Sequence, residues 1–203
     1  MAVTLFVVAC FTAGQASAAI IASNGPSDGL NGSFPGVSIL LPSAGGGNVG
    51  WNNIEFSFFN SDNSANASGD LFILNSQYLG TPSGLSNATA GFVAQSVSAI
   101  GGAWQFDSSL ILNELTTYYF LTDEGFSWVT PNGSGGTVGA GALSYFASGA
   151  NENYFASSSG PAGGDWDYRL QGTTTTGAVP EPSILALLSV GLAVIGFRRR
   201  KQA

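Results

Sequence analysis

The sequence contains no histidine, and its single cysteine is Cys10, inside an apolar N-terminal run. Without histidine, neither a Ser-His-Asp triad nor a Cys-His pair can form. Zinc sites built from cysteine and histidine are excluded for the same reason. An internal disulfide is excluded as well, because it needs two cysteines. The fold must therefore be held together without a covalent cross-link or a zinc ion of this kind.

Charged residues are also scarce, at 8% of the sequence against about 25% in an average soluble domain. Four of the five basic residues lie at the C-terminus, and Arg169 is the only cation between residues 19 and 177. The same segment carries eleven carboxylates, which gives it a net charge of −10. Nucleic-acid binding depends on clustered lysine and arginine. A nucleic-acid partner is therefore excluded.

The N-terminus has the layout of a secretory signal peptide. An apolar run over residues 3–13 precedes Ala16 and Ala18, the small residues that signal peptidase requires at its cleavage site. We predict a signal peptide over residues 1–18, cleaved after Ala18, and export by the general secretion machinery. A lipoprotein leader that is cleaved before Cys10 and an ordinary buried helix are the alternatives.

The C-terminus combines three elements in a fixed order: a Pro-Glu-Pro motif, an apolar stretch and a basic end. The apolar stretch, residues 184–197, would span about 21 Å as a helix, which is short for a bilayer core of about 30 Å. We predict one short transmembrane helix there, with its basic end in the cytoplasm by the positive-inside rule. The motif and the basic end are Val179, Pro180, Glu181, Pro182 and Arg198, Arg199, Arg200, Lys201.

This tail, residues 179–203, resembles the PEP-CTERM sorting signal of Gram-negative bacteria. The resemblance implies that an exosortase, a membrane transpeptidase, recognises and removes the tail. It also implies an association with exopolysaccharide. The two prolines keep the motif extended, which suits a protease cleft. We expect a transient intermediate in the inner membrane, followed by a location on the cell surface or outside the cell.

Between the two ends, short apolar runs alternate with clusters of Gly, Asn and Ser. This pattern predicts an all-β domain over residues 19–172, an antiparallel β-sandwich of jelly-roll type. Residues 173–178 are predicted to form a flexible linker. The predicted strands are 37–41, 54–59, 71–75, 91–97, 103–106, 110–112, 117–122, 126–129, 143–147, 154–156 and 165–171.

The run Leu115–Leu121, followed by Trp128 and later by Gly164–Trp166, resembles the R type of the choice-of-anchor domains found on PEP-CTERM proteins. The resemblance implies a β-sandwich in an extracellular context. It implies no activity, because that family has none established.

A loop between two predicted strands, residues 60–70, is rich in oxygen ligands. Asn60, Asp62, Asn66 and Asp70 offer the carboxylate and amide oxygens that Ca²⁺ prefers. The glycine and glutamate of an EF-hand loop are misplaced here, and a solvated hairpin connection is the alternative. Calcium is the one cofactor that the sequence suggests.

Trp51, Trp104, Trp128 and Trp166 are many tryptophans for one small domain. Exposed indoles stack on sugar rings, whereas buried ones fill the core, which is the expected role. The leading hypothesis is a non-enzymatic surface or matrix protein. The alternative is a carbohydrate-binding module that uses exposed tryptophans and acidic loops, with or without Ca²⁺.

Two close carboxylate pairs occur, Asp123 with Glu124 and Asp165 with Asp167. Glycoside hydrolysis needs two carboxylates that face each other across about 5 to 10 Å. Adjacent residues on a strand point apart. Asp165 and Asp167 would share one face of a strand, with Arg169 beside them as a surface ion pair. We expect no enzymatic activity.

The first testable prediction concerns the mature N-terminus, which we expect at Ala19. The reason is the small-residue cleavage site that ends at Ala18. N-terminal sequencing of the exported protein measures it directly. A lipid-modified N-terminus at Cys10 would contradict the prediction.

Overall fold

The computed structural model describes residues 18–24, 31–59, 65–129, 131–132, 143–157 and 165–176. Within these ranges the chain consists of β-strands, one 3-10 turn at Pro82–Gly84, and connecting segments. The predicted all-β class is confirmed. In chain order the strands are β1 (Ala19–Asn24), β2 (Asn31–Leu40), β3 (Asn48–Phe59), β4 (Ala65–Asn66), β5 (Leu71–Leu74), β6 (Phe92–Gln95), β7 (Ser98–Ile100), β8 (Ala103–Gln105), β9 (Leu112–Asn113), β10 (Thr117–Thr122), β11 (Phe126–Val129), β12 (Pro131–Asn132), β13 (Leu143–Ala147), β14 (Phe155–Ser157), β15 (Asp165–Trp166) and β16 (Tyr168–Thr176).

The strands form two antiparallel sheets that pack as a sandwich. Sheet I has the order β1-β16-β3-β8-β7, with β4 and β9 also pairing with β3. Sheet II has the order β14-β13-β2-β10-β5-β6, with β11 also on β2, and β12 and β15 form a separate ribbon. Because β1 pairs with β16, sheet I joins the two ends of the described chain.

Aromatic rings from both sheets meet in the core. Phe56 of sheet I stacks on Phe120 of sheet II, with ring centroids 4.9 Å apart. Phe58 meets the Phe56 ring edge-on at 4.9 Å, and Tyr168 stacks on it at 5.8 Å. All four rings are at most 1% exposed. The predicted strand 54–59 lies within β3, and its alternate apolar residues Ile54, Phe56 and Phe58 all face this core.

Apolar residues cover both faces of sheet II, the inner face toward sheet I and the outer face away from it. In β5, Leu71 and Ile73 face sheet I, while Phe72 and Leu74 belong to a second apolar cluster. That cluster includes Leu85, in the segment between β5 and β6. A strand buried on both faces appears in the sequence as an unbroken apolar run, which is why β5 could be predicted without alternation.

The predicted end of the domain is corrected by the structure. Residues 173–176, expected as the start of a flexible linker, are the last residues of β16 and pair with β3 between Asn52 and Asn48. Threonine is β-branched and suits a strand. The sheet therefore continues to within two residues of position 178.

Gly36 in β2 leaves room for the second apolar cluster. A Cβ atom at this position would overlap Leu121 Cδ2 and would lie 3.2 Å from Tyr145 Cβ. Both neighbours are fully buried, so neither can move aside easily. The close approach of β2, β10 and β13 depends on the absence of a side chain at Gly36.

We expect Gly36→Ala to lower the free energy of unfolding by about 1–3 kcal/mol, the usual cost of overpacking a core. Gly149→Ala is the matched control, because a Cβ there would have no neighbour closer than 3.7 Å. Denaturant unfolding followed by tryptophan fluorescence measures both variants. Equal stability of the two variants would contradict the prediction.

Candidate functional site

A row of polar side chains crosses the outer face of sheet I. In the sheet register, Glu55 of β3 pairs with Gln105 of β8 on one side and with Gln171 of β16 on the other. Paired residues lie on the same face of a sheet, with strands about 4.8 Å apart. The neighbouring residue Phe56 faces the core, so this row faces outward. Two amides thus flank one carboxylate on the solvent side.

A β-bulge interrupts the pairing of β3 with β16 next to this row. Gln171 pairs with Glu55 and Thr173 pairs with Asn52, so two residues of β3 face the single residue Gly172. A Cβ atom at position 172 would lie 2.9 Å from both Asn52 O and Ile21 Cδ1. Glycine therefore permits the close approach of the strands at the bulge.

The bulge places Asn53 in a left-handed backbone conformation, with φ of 48°. Its Nδ2 donates hydrogen bonds to Thr173 Oγ1 at 2.8 Å and to Asn52 Oδ1 at 3.3 Å. The Thr173 hydroxyl donates in turn to Asn52 Oδ1. These bonds fix the Asn53 amide, and its Oδ1 acceptor is left for other partners.

An open cavity of about 240 Å³ lies over the bulge. Its lining residues are Asn53, Ile54, Glu55, Gln105 and Phe106. Ile54 and Phe106 belong to the core cluster and are 1% and 6% exposed, so the side chains open to the cavity are those of Asn53, Glu55 and Gln105. Within the described part of the chain, the Glu55 carboxylate has no hydrogen-bond or ionic partner. Gln105 Oε1 accepts a bond from Ser98 Oγ at 3.4 Å.

The sequence did not single out these cavity residues. Asn52 and Asn53 precede the predicted strand 54–59, and Gly172 follows the predicted strand 165–171. A glycine flanked by strand residues is a known sign of a bulge. That sign could have indicated the site, whereas the asparagines suggested a turn.

The two tryptophans whose side chains are described belong to the core. Trp104 is fully buried and donates from Nε1 to Gly69 O at 3.0 Å. Trp51 is 6% exposed. Both were weak candidates for stacking on a sugar, and their burial corrects that hypothesis. The side chains of Trp128 and Trp166 lie outside the described ones.

The calcium loop is described only in part, because Asn60 and Asp62 lie outside the described residues. Asn66 belongs to β4. Asp70 accepts a hydrogen bond from Gln95 Nε2 at 2.6 Å. No group of three acidic side chains that could hold a metal ion occurs among the residues described. Calcium binding stays a prediction.

The first predicted carboxylate pair holds a connection in place. Asp123 Oδ1 accepts from the Asp70 backbone N–H at 2.8 Å, and Glu124 Oε2 accepts from Ser68 Oγ at 2.5 Å. The two acids therefore fix residues 68–70 against the end of β10.

The second pair does not lie on one continuous strand. Asp167 interrupts the predicted strand 165–171 and is 2% exposed, and its carbonyl accepts from Phe59 N–H at 3.0 Å. The expected solvated face is therefore wrong for Asp167. The Arg169 guanidinium lies 5.0 Å from the centre of the Phe59 ring, a cation–π geometry.

Comparison with known protein families matches residues 178–201 to the PEP-CTERM protein-sorting motif. The match includes Pro180–Pro182, the apolar stretch and the basic end. No curated protein and no solved structure matches the chain. The likeness of the sandwich to choice-of-anchor domains stays a prediction.

The structure and this match together define a class: an all-β protein that is exported through the membrane. More particularly, the chain carries a PEP-CTERM motif and is a target of an exosortase. Among the described residues no helix is long and apolar enough to span a membrane. The predicted signal peptide, apart from Ala18, and the predicted helix 184–197 lie outside them.

The half-buried Asp123 provides a test of electrostatics. Burial raises the pKa of its carboxyl, and the charges of Asp70 and Glu124 raise it further. A raised pKa means that the folded state binds the proton more strongly than the unfolded state does. The contribution of Asp123 to stability is then full below its unfolded pKa and is lost as the pH rises through the folded pKa.

We expect Asp123→Asn to stabilise the fold at pH 7 by less than about 1 kcal/mol, since water screens this side chain. The amide oxygen can still accept from Asp70 N–H. The gain should disappear at pH 3, where the wild-type carboxyl is also neutral. Unfolding midpoints at both pH values test this, with the exposed Glu152→Gln as control. A less stable Asp123→Asn variant at pH 7 would show that the negative charge is needed.

Proposed function

We propose that this protein is a non-enzymatic β-sandwich that is displayed on the cell surface or released into the extracellular matrix, in association with exopolysaccharide. The observation that carries the proposal is the sorting motif at residues 178–201, which directly follows one folded sandwich. A sorting motif supports delivery to the outside of the cell. The extracellular role of the sandwich itself is the proposed part.

The use of the carboxylates supports a non-enzymatic role. Glu114 accepts hydrogen bonds from Ser43 Oγ at 2.7 Å and from Ala44 N at 2.6 Å, and these bonds lower the pKa of its carboxyl. Asp107 Oδ1 likewise accepts hydrogen bonds from the backbone N–H and the hydroxyl of Ser109. With Asp123 and Glu124, these acids hold turns and loops. The lowered pKa values of Glu114 and Asp107 favour their ionised forms, whereas a general acid needs a proton to donate at neutral pH.

The proposed route begins with signal peptidase and the secretion machinery and passes through an inner-membrane intermediate. In that intermediate the basic end, residues 198–201, faces the cytoplasm. Exosortase then acts near Pro180, four residues after the end of β16 at Thr176. An extended chain of four residues reaches about 14 Å at most. The enzyme would therefore cut the tail close to the folded sandwich.

The alternative is a carbohydrate-binding module. The sequence-based version of this hypothesis used exposed tryptophans to bind sugar. Trp51 and Trp104 are buried, so they cannot serve as that binding surface. The cavity over the bulge offers a different basis for saccharide contact.

The test of the proposal is removal of the sorting information. Changing both prolines and Glu181 to alanine should leave the tail uncut and the protein in the inner membrane, because the recognised segment is lost. Mass spectrometry of protein from the native host measures the C-terminus, and cell fractionation measures the location. The exposed Glu152→Gln variant should be processed normally.

One result would contradict the proposed processing. Wild-type protein that retains residues 197–203, in a strain with a working exosortase, would show that the tail is a permanent anchor.

A further inference from the structure

We infer that the cavity over the bulge of sheet I binds an uncharged polyhydroxylated ligand, one unit of a neutral saccharide chain, through Asn53, Glu55 and Gln105. This inference deepens the proposed function, on which it rests in part. It names the chemical contact through which the sandwich would associate with an extracellular polysaccharide.

The first support is the backbone conformation of Asn53. A left-handed conformation costs a non-glycine residue energy, and residues in such strained conformations concentrate at ligand sites. Glycine would meet the same backbone requirement without this cost. Asparagine adds an amide, which Thr173 Oγ1 holds at 2.8 Å beside the cavity. Bulges commonly redirect a side chain in this way next to binding sites.

The second support is the set of hydrogen-bonding groups on the rim. The Glu55 carboxylate offers two acceptor oxygens, which are free of partners in the described part of the chain. Gln105 offers its NH₂ donors, because its Oε1 is the atom that accepts from Ser98. A sugar hydroxyl both donates and accepts, so it can bridge a carboxylate and a primary amide. Bonds from hydroxyls to a carboxylate are charge-assisted and strong.

The third support is the shape of the cavity. Its open side chains are the polar ones of Asn53, Glu55 and Gln105, since Ile54 and Phe106 face the core. A volume of about 240 Å³ corresponds to about eight water molecules at ~30 Å³ each. That volume fits one sugar ring. A long polymer would extend along the polar row toward Gln171.

The negative net charge of the domain favours a neutral ligand over an anionic one. The segment from residue 19 to 177 has a net charge of −10, which repels phosphates and uronates. Its single cation, Arg169, has its guanidinium over the Phe59 ring. A metal ion would need more than the one carboxylate that lines the cavity.

The experiment uses the full chain in a detergent without a sugar headgroup. Nuclear magnetic resonance follows the side-chain amide of Gln105 and the backbone amides of Asn53–Glu55. The probes are oligosaccharides of α-1,6-linked glucose and of β-1,4-linked glucose, with oligogalacturonate as the anionic counterpart. We expect at least one neutral probe to shift these resonances and the anionic probe to leave them unchanged.

Two variants test the assignment of the contacts. Glu55→Gln removes the charge but keeps the shape of the side chain. Asn53→Gly removes the amide, and glycine adopts the left-handed backbone conformation of this position without strain. Each should weaken binding at least about tenfold with the unfolding midpoint retained. Glu152→Gln is the matched control, since Glu152 is exposed and lies outside the cavity lining, and it should bind like wild type.

Three results would overturn the inference: no shift with either neutral probe, unchanged binding by both cavity variants, or equal binding of the anionic probe. None of them would affect the proposed export and processing. The C-terminus found in the native host tests those separately.

Discussion

The stack of Phe56 on Phe120 joins the two sheets of this protein into one core. The chain has a single cysteine and no histidine, so neither an internal disulfide nor a Cys/His zinc site can cross-link the sheets. Apolar burial must then hold them together, and aromatic rings supply the largest buried area per residue. Phe58, Trp104 and Tyr168 surround the Phe56 ring. The register of β3 against β8 and β16 is fixed by this packing, because a shift by one residue would turn every ring outward.

The two sheets differ in what covers their outer faces. Sheet II has a second apolar cluster there, closed by Tyr154, whose hydroxyl donates to Thr122 O and whose burial raises its pKa. Sheet I has Glu55, Gln105 and Gln171 instead. The polar face of sheet I therefore follows from the same register that fixes the core. The cavity lies where that register is broken.

Much of the fold could be predicted, because strands buried on one or both faces leave a pattern in the sequence. The alternation of Ile54, Phe56 and Phe58 and the apolar run of β5 are examples. The outer halves of β3 and β16 could not be predicted, because the bulge contains asparagines and Gly172, residue types that are typical of turns. The candidate site takes only Asn53 from these residues, and its other polar members, Glu55 and Gln105, lie within predicted strands. It was missed because its members, from β3 and β8, come together only through strand pairing.

The sorting tail and the sandwich encode their information in different ways. The tail is recognised through residue types in linear order, so its motif is visible without a structure. The cavity depends on register, on a bulge and on one backbone angle, and of these only the bulge has a sign in the sequence, Gly172. The two meet at Thr176, where β16 ends two residues before the matched segment begins. A cut within the motif removes none of the residues that pair with β3. Removal of the tail therefore leaves the described sheet and its cavity complete, and sorting and ligand contact can be separate properties of one short chain.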